Sequence, residues 1–136
     1  MKVSPPTRPA AASSEKGAET ITSLPDLTTT GAGEHLRYLN TPAPVISSKI
    51  LTIPGGGKSN WMIHPVPAYL YVLEGGLTVE FIDGTRQRYR LGQAFLQSQT
   101  HWHRGVNEGE VPVRFLAVFL GGQGVPVILH PPANPL

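Results

Sequence analysis

Short apolar runs alternate with turn residues along the chain from Thr41 onward. No window shows a sustained period of 3.6 residues, whereas glycine and proline turns recur between the runs. Many short strands at regular spacing predict an all-β sandwich or barrel with little or no helix. The predicted strands are residues 45–53, 60–64, 69–73, 77–82, 86–91, 94–97, 102–106, 113–120 and 125–129.

One hairpin is predicted down to its register. A two-residue turn would place the arginines of the second strand on the apolar face of the first, because a shift of one residue exchanges the two faces. A three-residue loop over 82–84, ending in a left-handed glycine, restores the pattern. Val79 then faces Gln87, and Glu80 faces Arg86. We therefore predict that Arg86, Arg88 and Arg90, here called the arginine stripe, lie on a solvated face of the hairpin. An anion-binding site is the alternative.

Composition narrows the function classes. The chain has 136 residues, a formal net charge of +2 and no cysteine, which excludes disulfides, thiolate metal sites and cysteine nucleophiles. No apolar stretch approaches 18 residues, so no membrane span is expected. No lysine or arginine run would track a phosphate backbone, so nucleic acid is not an expected partner. We expect a soluble protein, with the cytoplasm favoured because no signal-peptide apolar region follows Lys2.

The first 20 residues differ in composition from the rest of the chain. They contain proline, alanine, serine, threonine and charge, with Val3 as their only large apolar side chain. Such a segment cannot bury enough surface to offset its ordering entropy, so residues 1–20 are predicted to be a disordered arm. Residues 21–136 are predicted to form a single domain, in which residues 21–40 contribute an edge strand or a short turn.

Two motifs resemble those of the cupin superfamily. In the first, the glycines at 55–57 precede His64 and a glycine turn at 75–76. In the second, Gly92, His103 and Asn107 have the family spacing without a gap. The resemblance covers about residues 50–120, and this region is similar to small bacterial single-domain cupins. It implies a cupin-type double-stranded β-helix, which is a jelly-roll barrel.

The resemblance also implies a metal site, but an incomplete one. The family takes two histidines and a glutamate from the first motif and one histidine from the second. Here the first histidine position holds Met62, which is an apolar filler or else a soft thioether that suits Cu(I), and the glutamate position falls near Ala68. His64 and His103 remain as candidate metal ligands, unless His64 is simply a hydrogen-bonded histidine. His101 is the third candidate ligand. The alternative is that His101 lies on a turn and its side chain faces water. The predicted pocket residues are Met62, Ala68, Leu70, Val72 and Asn107.

By resemblance, the function is binding of a small organic molecule in the barrel interior. One divalent ion (Zn, Ni, Cu or Fe) would bind there weakly or not at all, and dioxygenase- or isomerase-like chemistry would follow if the protein is an enzyme. The alternative is a metal-free, non-catalytic binding or sensor module. A homodimer is expected, because residues 45–53 form a strand that is apolar on both faces, which is more than one barrel wall needs.

Overall fold

A computed structural model describes residues 17–132 of the chain. This part contains no helix and seven strands. The strands are β1 (Pro44–Ile53), β2 (Ala68–Glu74), β3 (Gly76–Phe81), β4 (Arg86–Arg90), β5 (Ala94–Leu96), β6 (His103–Val106) and β7 (Val113–Gly122). The all-β prediction is confirmed, and seven of the nine predicted runs are strands.

The runs 60–64 and 125–129 differ from the prediction. They form isolated bridges instead of strands, with Met62 opposite His103 and Ile63 opposite Leu129. Proline has no backbone N–H to give to a ladder, and Pro65 and Pro126 lie next to or within these runs. Each run therefore pairs with another segment through one or two isolated bridges only and does not add a strand to a sheet.

Two antiparallel sheets enclose the core. One has the order β1-β7-β2-β5 and the other the order β4-β3-β6. Alternate residues of β2 and β7 point inward, as the period of two in a strand requires. The inward residues that form the core include Leu70, Val72, Phe115, Ala117 and Phe119, which are at most 6% exposed.

The predicted hairpin is confirmed in register. Val79 pairs with Gln87 and Glu80 with Arg86, and Gly84 has a φ of 90°, in the left-handed region. The Arg86 guanidinium contacts the Glu80 carboxylate at 2.6 Å on the exposed face. The arginine stripe thus has an acidic cross-strand partner, as the sequence predicts.

The segment before β1 is held by a turn and one glutamate. Thr29 and His35 form an isolated bridge, so a turn is the correct alternative for this region. Glu34 reaches the loop after β5, where it accepts hydrogen bonds from the Ser98 hydroxyl and from the backbone N–H of Gln99. Most of the predicted arm, 1–20, lies outside the described residues, and residues 17–20 are exposed and irregular. The described chain also offers no helical segment with the length and apolarity needed to cross a bilayer.

Candidate functional site

Two histidines meet inside the barrel. His103 begins β6, and His64 lies just before β2, beyond the Met62 bridge. Both side chains are buried, with exposed fractions of 1% and 4%, and their Nε2 atoms are 3.1 Å apart. The His64 ring packs against Phe119 at 5.3 Å between centroids. Strand β6 and the segment that leads into β2 thus bring together imidazoles that are 39 residues apart in sequence.

The Nδ1 atom of each ring is hydrogen-bonded to a backbone carbonyl oxygen. The Nδ1 of His64 lies 3.0 Å from the Val127 carbonyl oxygen, and the Nδ1 of His103 lies 2.9 Å from that of His101. A carbonyl oxygen only accepts, so each Nδ1 must carry the proton. In neutral rings, both Nε2 atoms then present lone pairs to each other. A shared proton, a water molecule that donates to both atoms, or a cation that both atoms bind would relieve that opposition while both carbonyl bonds are kept.

Burial keeps these rings neutral at ordinary pH. It lowers the pKa of His64 from 6.5 to about 4, although the bond to Val127 acts in the opposite direction. Burial, and then the neighbouring His64, lower the pKa of His103 from 6.5 to about 4. A metal ion therefore meets little competition from protons at pH 7. Nδ1–H donation to a carbonyl is also the usual support of a histidine ligand.

A small cavity lies beside the histidine pair. Its volume is about 30 Å³, which is room for a water molecule or two or for an ion with one water. The segment 125–130, here called the C-terminal strap, helps to close it. Ile128 lines the cavity, and Leu129 exchanges two backbone hydrogen bonds with Ile63. The cavity lining is mostly apolar: Leu51, Ser59, Met62, His64, Leu70, Leu77, Val79, Gln97, His103, Gly105, Phe115, Ala117, Phe119 and Ile128.

Only some of the predicted pocket residues line this cavity. Met62 does so, because it lies opposite His103 in an antiparallel bridge and so shares its face; Leu70 does so as well. Ala68 and Val72 are buried in the core beside the cavity and do not line it.

Asn107 also requires a correction, because it lies outside the cavity lining. Its Nδ2 donates to the carbonyl oxygens of Ile53 and Val111 at 3.0 and 2.7 Å. Its Oδ1 accepts from the Gly109 N–H at 3.0 Å. Asn107 is 2% exposed, so these three bonds satisfy a buried amide that holds the chain between β6 and β7.

The structure does not bring His101 to the histidine pair. Its side chain is 54% exposed and lies on the loop before β6, with Nδ1 3.7 Å from the Glu34 carboxylate. Partial burial would raise the pKa of Glu34, but hydrogen bonds from Ser98, Thr100 and Thr30 outweigh it and lower the pKa to about 2. This carboxylate anchors the loop that leads into His103. Sequence reasoning missed this role, since Glu34 directly follows a stretch of threonine and glycine, residues 28–33, that has no periodic signal.

The donor set suits a weakly held transition ion. A separation of 3.1 Å between the two Nε2 atoms is close to that of neighbouring nitrogen ligands with bonds of about 2.1 Å. Imidazole nitrogen suits Zn, Ni, Cu and Fe. However, within residues 17–132 no group of three histidine, cysteine or acidic side chains converges. Two imidazoles are thus available, and water or another group would have to complete the coordination.

Comparisons with known proteins agree with this architecture. A family model described as a Cupin domain matches residues 49–119, slightly more than half of the chain. No curated protein sequence matches the chain. The two-sheet arrangement, the inward histidines and the family match thus point to the same fold.

Solved structures resemble the chain at low sequence identity. The DMSP lyase from Ruegeria pomeroyi superposes with a TM-score of 0.55 at 15% identity, over 65% of this chain and 45% of that one. The polyketide cyclase from Streptomyces resistomycificus gives 0.55 at 20% identity, over 66% and 63%. A double-stranded β-helix protein from Klebsiella pneumoniae gives 0.52 at 19% identity, over 67% and 79%. At these identities the likeness is one of fold alone.

Proposed function

The chain belongs to the cupin family, and from this premise we propose that its barrel interior binds one divalent transition ion weakly, together with a small ligand. One observation carries the proposal: two buried imidazoles place their Nε2 atoms 3.1 Å apart, beside the cavity and away from their carbonyl-bound Nδ1 atoms. His64 and His103 would hold the ion. Such an ion would act as a Lewis acid toward its ligand, in chemistry of the dioxygenase or isomerase kind.

The binding should be weaker than in a site with all four family ligands. Met62 offers only a soft thioether, and Ala68 offers no donor atom. Two neutral imidazoles also leave the charge of the cation uncompensated in an apolar surrounding. An aromatic or other organic ligand of ordinary size needs a pocket of about 300 Å³ or more. The cavity is far smaller, so such a ligand would enter only if the cavity walls moved, and the C-terminal strap is one of these walls.

Equilibrium dialysis of the metal-free protein against zinc, nickel and cobalt tests the proposal. We expect up to one ion per chain, and loss of binding in both His64→Ala and His103→Ala. His130→Ala is the matched control, because its ring is exposed and, among residues 17–132, hydrogen-bonds to the Trp61 carbonyl oxygen and not to the histidine pair. Binding that survived the double substitution of His64 and His103 would contradict the proposal.

A metal-free binding module that works as a homodimer is the second candidate, and the outer face of the larger sheet favours the dimer. Ile46 and Ile50 on β1 are 71% and 55% exposed. They lie opposite Leu120 and Leu116 on β7, which are half-buried. Among the described residues β1 has a neighbour on one side only. Exposed apolar patches of this kind are typical of interfaces.

Light scattering at micromolar concentration tests the dimer. The wild type should give twice the 14.6 kDa chain mass, and Ile46→Glu/Ile50→Glu should give a monomer. Val111→Glu is the control, because Val111 is equally exposed, at 65%, but lies on a loop before β7. A wild-type mass near that of one chain would contradict the dimer.

A further inference from the structure

A groove lies between the β3–β4 hairpin and the loop that joins β6 to β7, and it is here called the hairpin groove. Its volume is about 270 Å³, close to the lower limit of about 300 Å³ for pockets that bind small organic molecules. Arg88 and Arg90 of β4 line it, and so do Glu108 and Val111 of the loop. Val111 is 65% exposed, so the groove offers an uncovered apolar contact near two cationic side chains.

The arginine stripe is neutralised at one end only. Arg86 contacts the Glu80 carboxylate at 2.6 Å and also contacts Glu108. Arg88 contacts Glu108 through Nε alone, at 3.2 Å, and its side chain is 69% exposed. Arg90 forms no ion pair within the described part of the chain. Positive charge therefore exceeds negative charge at the end of the stripe that lines the hairpin groove.

Glu108 does not cancel this charge. Its Oε1 accepts hydrogen bonds from the Thr78 hydroxyl at 2.8 Å and from Arg88, and its Oε2 accepts one from Arg86. The bond from Thr78 and the charges of Arg88 and Arg86 lower the pKa of Glu108, so its carboxylate is ionised at pH 7. One carboxylate is thus divided between two guanidinium groups. The Nη atoms of Arg88 and the whole guanidinium of Arg90 are left to bind a ligand.

The spacing of these two arginines suits one multivalent oxyanion. Residues two apart in a strand send their side chains to the same face, about 7 Å apart along the strand. Each guanidinium is a planar fork of N–H donors that matches the oxygens of a carboxylate or a phosphate. A carboxylate has two oxygens and one charge, whereas a phosphate monoester has three terminal oxygens and a charge of about −2 at pH 7. Two forks are therefore better matched by a phosphate monoester.

We propose that the hairpin groove binds a small organic phosphate monoester, with its phosphate group on Arg88 and Arg90 and its organic part against Val111. Two arginines hold one phosphate group, so the ligand is a small molecule and not a polyanion. The arginine stripe thus divides: Arg86 stabilises the hairpin through Glu80, and the other two arginines bind the ligand. The site is separate from the barrel histidines and does not depend on a metal.

Isothermal titration calorimetry of the metal-free protein with phenyl phosphate tests the proposal. We expect one molecule bound per chain, and binding weaker by about tenfold or more in Arg88→Gln/Arg90→Gln, because hydrogen bonds to a charged group are lost. Both side chains are exposed, so this variant should fold like the wild type, which its Tm checks. Arg37→Gln/Arg114→Gln is the matched control, because it removes two exposed arginines from positions outside the groove.

Equal weakening in the two double variants would overturn the proposal, since the effect would then come from net charge alone. A wild type that does not bind phenyl phosphate at millimolar concentration would overturn it as well. Glu108→Gln tests the sign: it removes the competing carboxylate from Arg88, so phenyl phosphate should bind about threefold or more tightly. Weaker binding in Glu108→Gln would contradict the proposed role of Arg88.

Inorganic phosphate tests where the organic part lies. Phenyl phosphate should bind about threefold or more tightly than inorganic phosphate in the wild type, because its ring covers apolar surface in the groove. Val111→Ser should reduce this preference, since Val111 is the exposed apolar side chain of the lining. A preference that persists unchanged in Val111→Ser would contradict the placement of the organic part in the hairpin groove.

Discussion

Mild acid should destabilise the metal-free protein through its two cavity histidines. Burial lowers the pKa of both His64 and His103 to about 4, whereas an unfolded histidine titrates near 6.5. Between these values the unfolded chain binds more protons than the folded one. Stability is therefore complete above about pH 6.5 and is lost as the pH falls toward 4.

The size of the effect follows from the same shift. At pH 5.0, a ring that resists protonation down to about pH 4 costs roughly 2 kcal/mol of folding free energy relative to pH 7.5. If the folded histidine pair takes up one shared proton at pH 5.0, only one ring resists protonation and the loss of folding free energy stays at about 2 kcal/mol. If the folded pair takes up no proton, both rings contribute and the loss is about 4 kcal/mol. The pKa of Glu34 is about 2, so this carboxylate adds little to the loss at pH 5.0.

Urea unfolding in the presence of a chelator, at pH 7.5 and pH 5.0, measures the loss. The double variant His64→Phe/His103→Phe should lose about 2–4 kcal/mol less than the wild type between the two pH values. His130→Phe, in which an exposed ring is replaced, should behave like the wild type. An equal loss in the wild type and the double variant would refute the assignment of buried, neutral imidazoles.

Three further outcomes are expected. Asn107→Ala should cost about 3 kcal/mol and lower the Tm by roughly 10 °C, because a buried amide loses its three hydrogen bonds, whereas Asn60→Ala on the surface should change little; equal Tm values would contradict this role. Met62→His should raise cobalt affinity at least about tenfold in dialysis, since residue 62 lines the cavity; unchanged affinity would show that a ring at 62 does not reach the ion. A disulfide in Ile63→Cys/Leu129→Cys should slow cobalt uptake by locking the strap, and reduction should restore it; equal rates would exclude the strap as the entry route.

Local alternation accounts for what the sequence predicts well. The pairing of Val79 with Gln87 follows from the period of two and one left-handed glycine, both of which are visible in the sequence. The inward position of Leu70 on β2 follows from the same period. These features depend on residues a few positions apart, so no knowledge of the closed barrel is needed.

Contacts that form only when the barrel closes account for the rest. Glu34 accepts hydrogen bonds from residues 64 to 66 positions later, and the His64 imidazole binds a carbonyl 63 positions later. Gln97 reads as the polar end of a short strand, and its inward position depends on how β5 meets β2. The family spacing of Asn107 marks its place in the motif, but only its three partners show that it supports the chain and does not line the cavity.

Anomalous diffraction from cobalt-soaked crystals would show where the ion binds. We expect one peak per chain, at partial or full occupancy, within bonding distance of the Nε2 atoms of both His64 and His103. Both Nδ1 atoms should keep their carbonyl partners, since these bonds set the tautomer that presents Nε2 to the ion. A cobalt peak elsewhere on the protein, or none in the barrel at millimolar cobalt, would contradict the account.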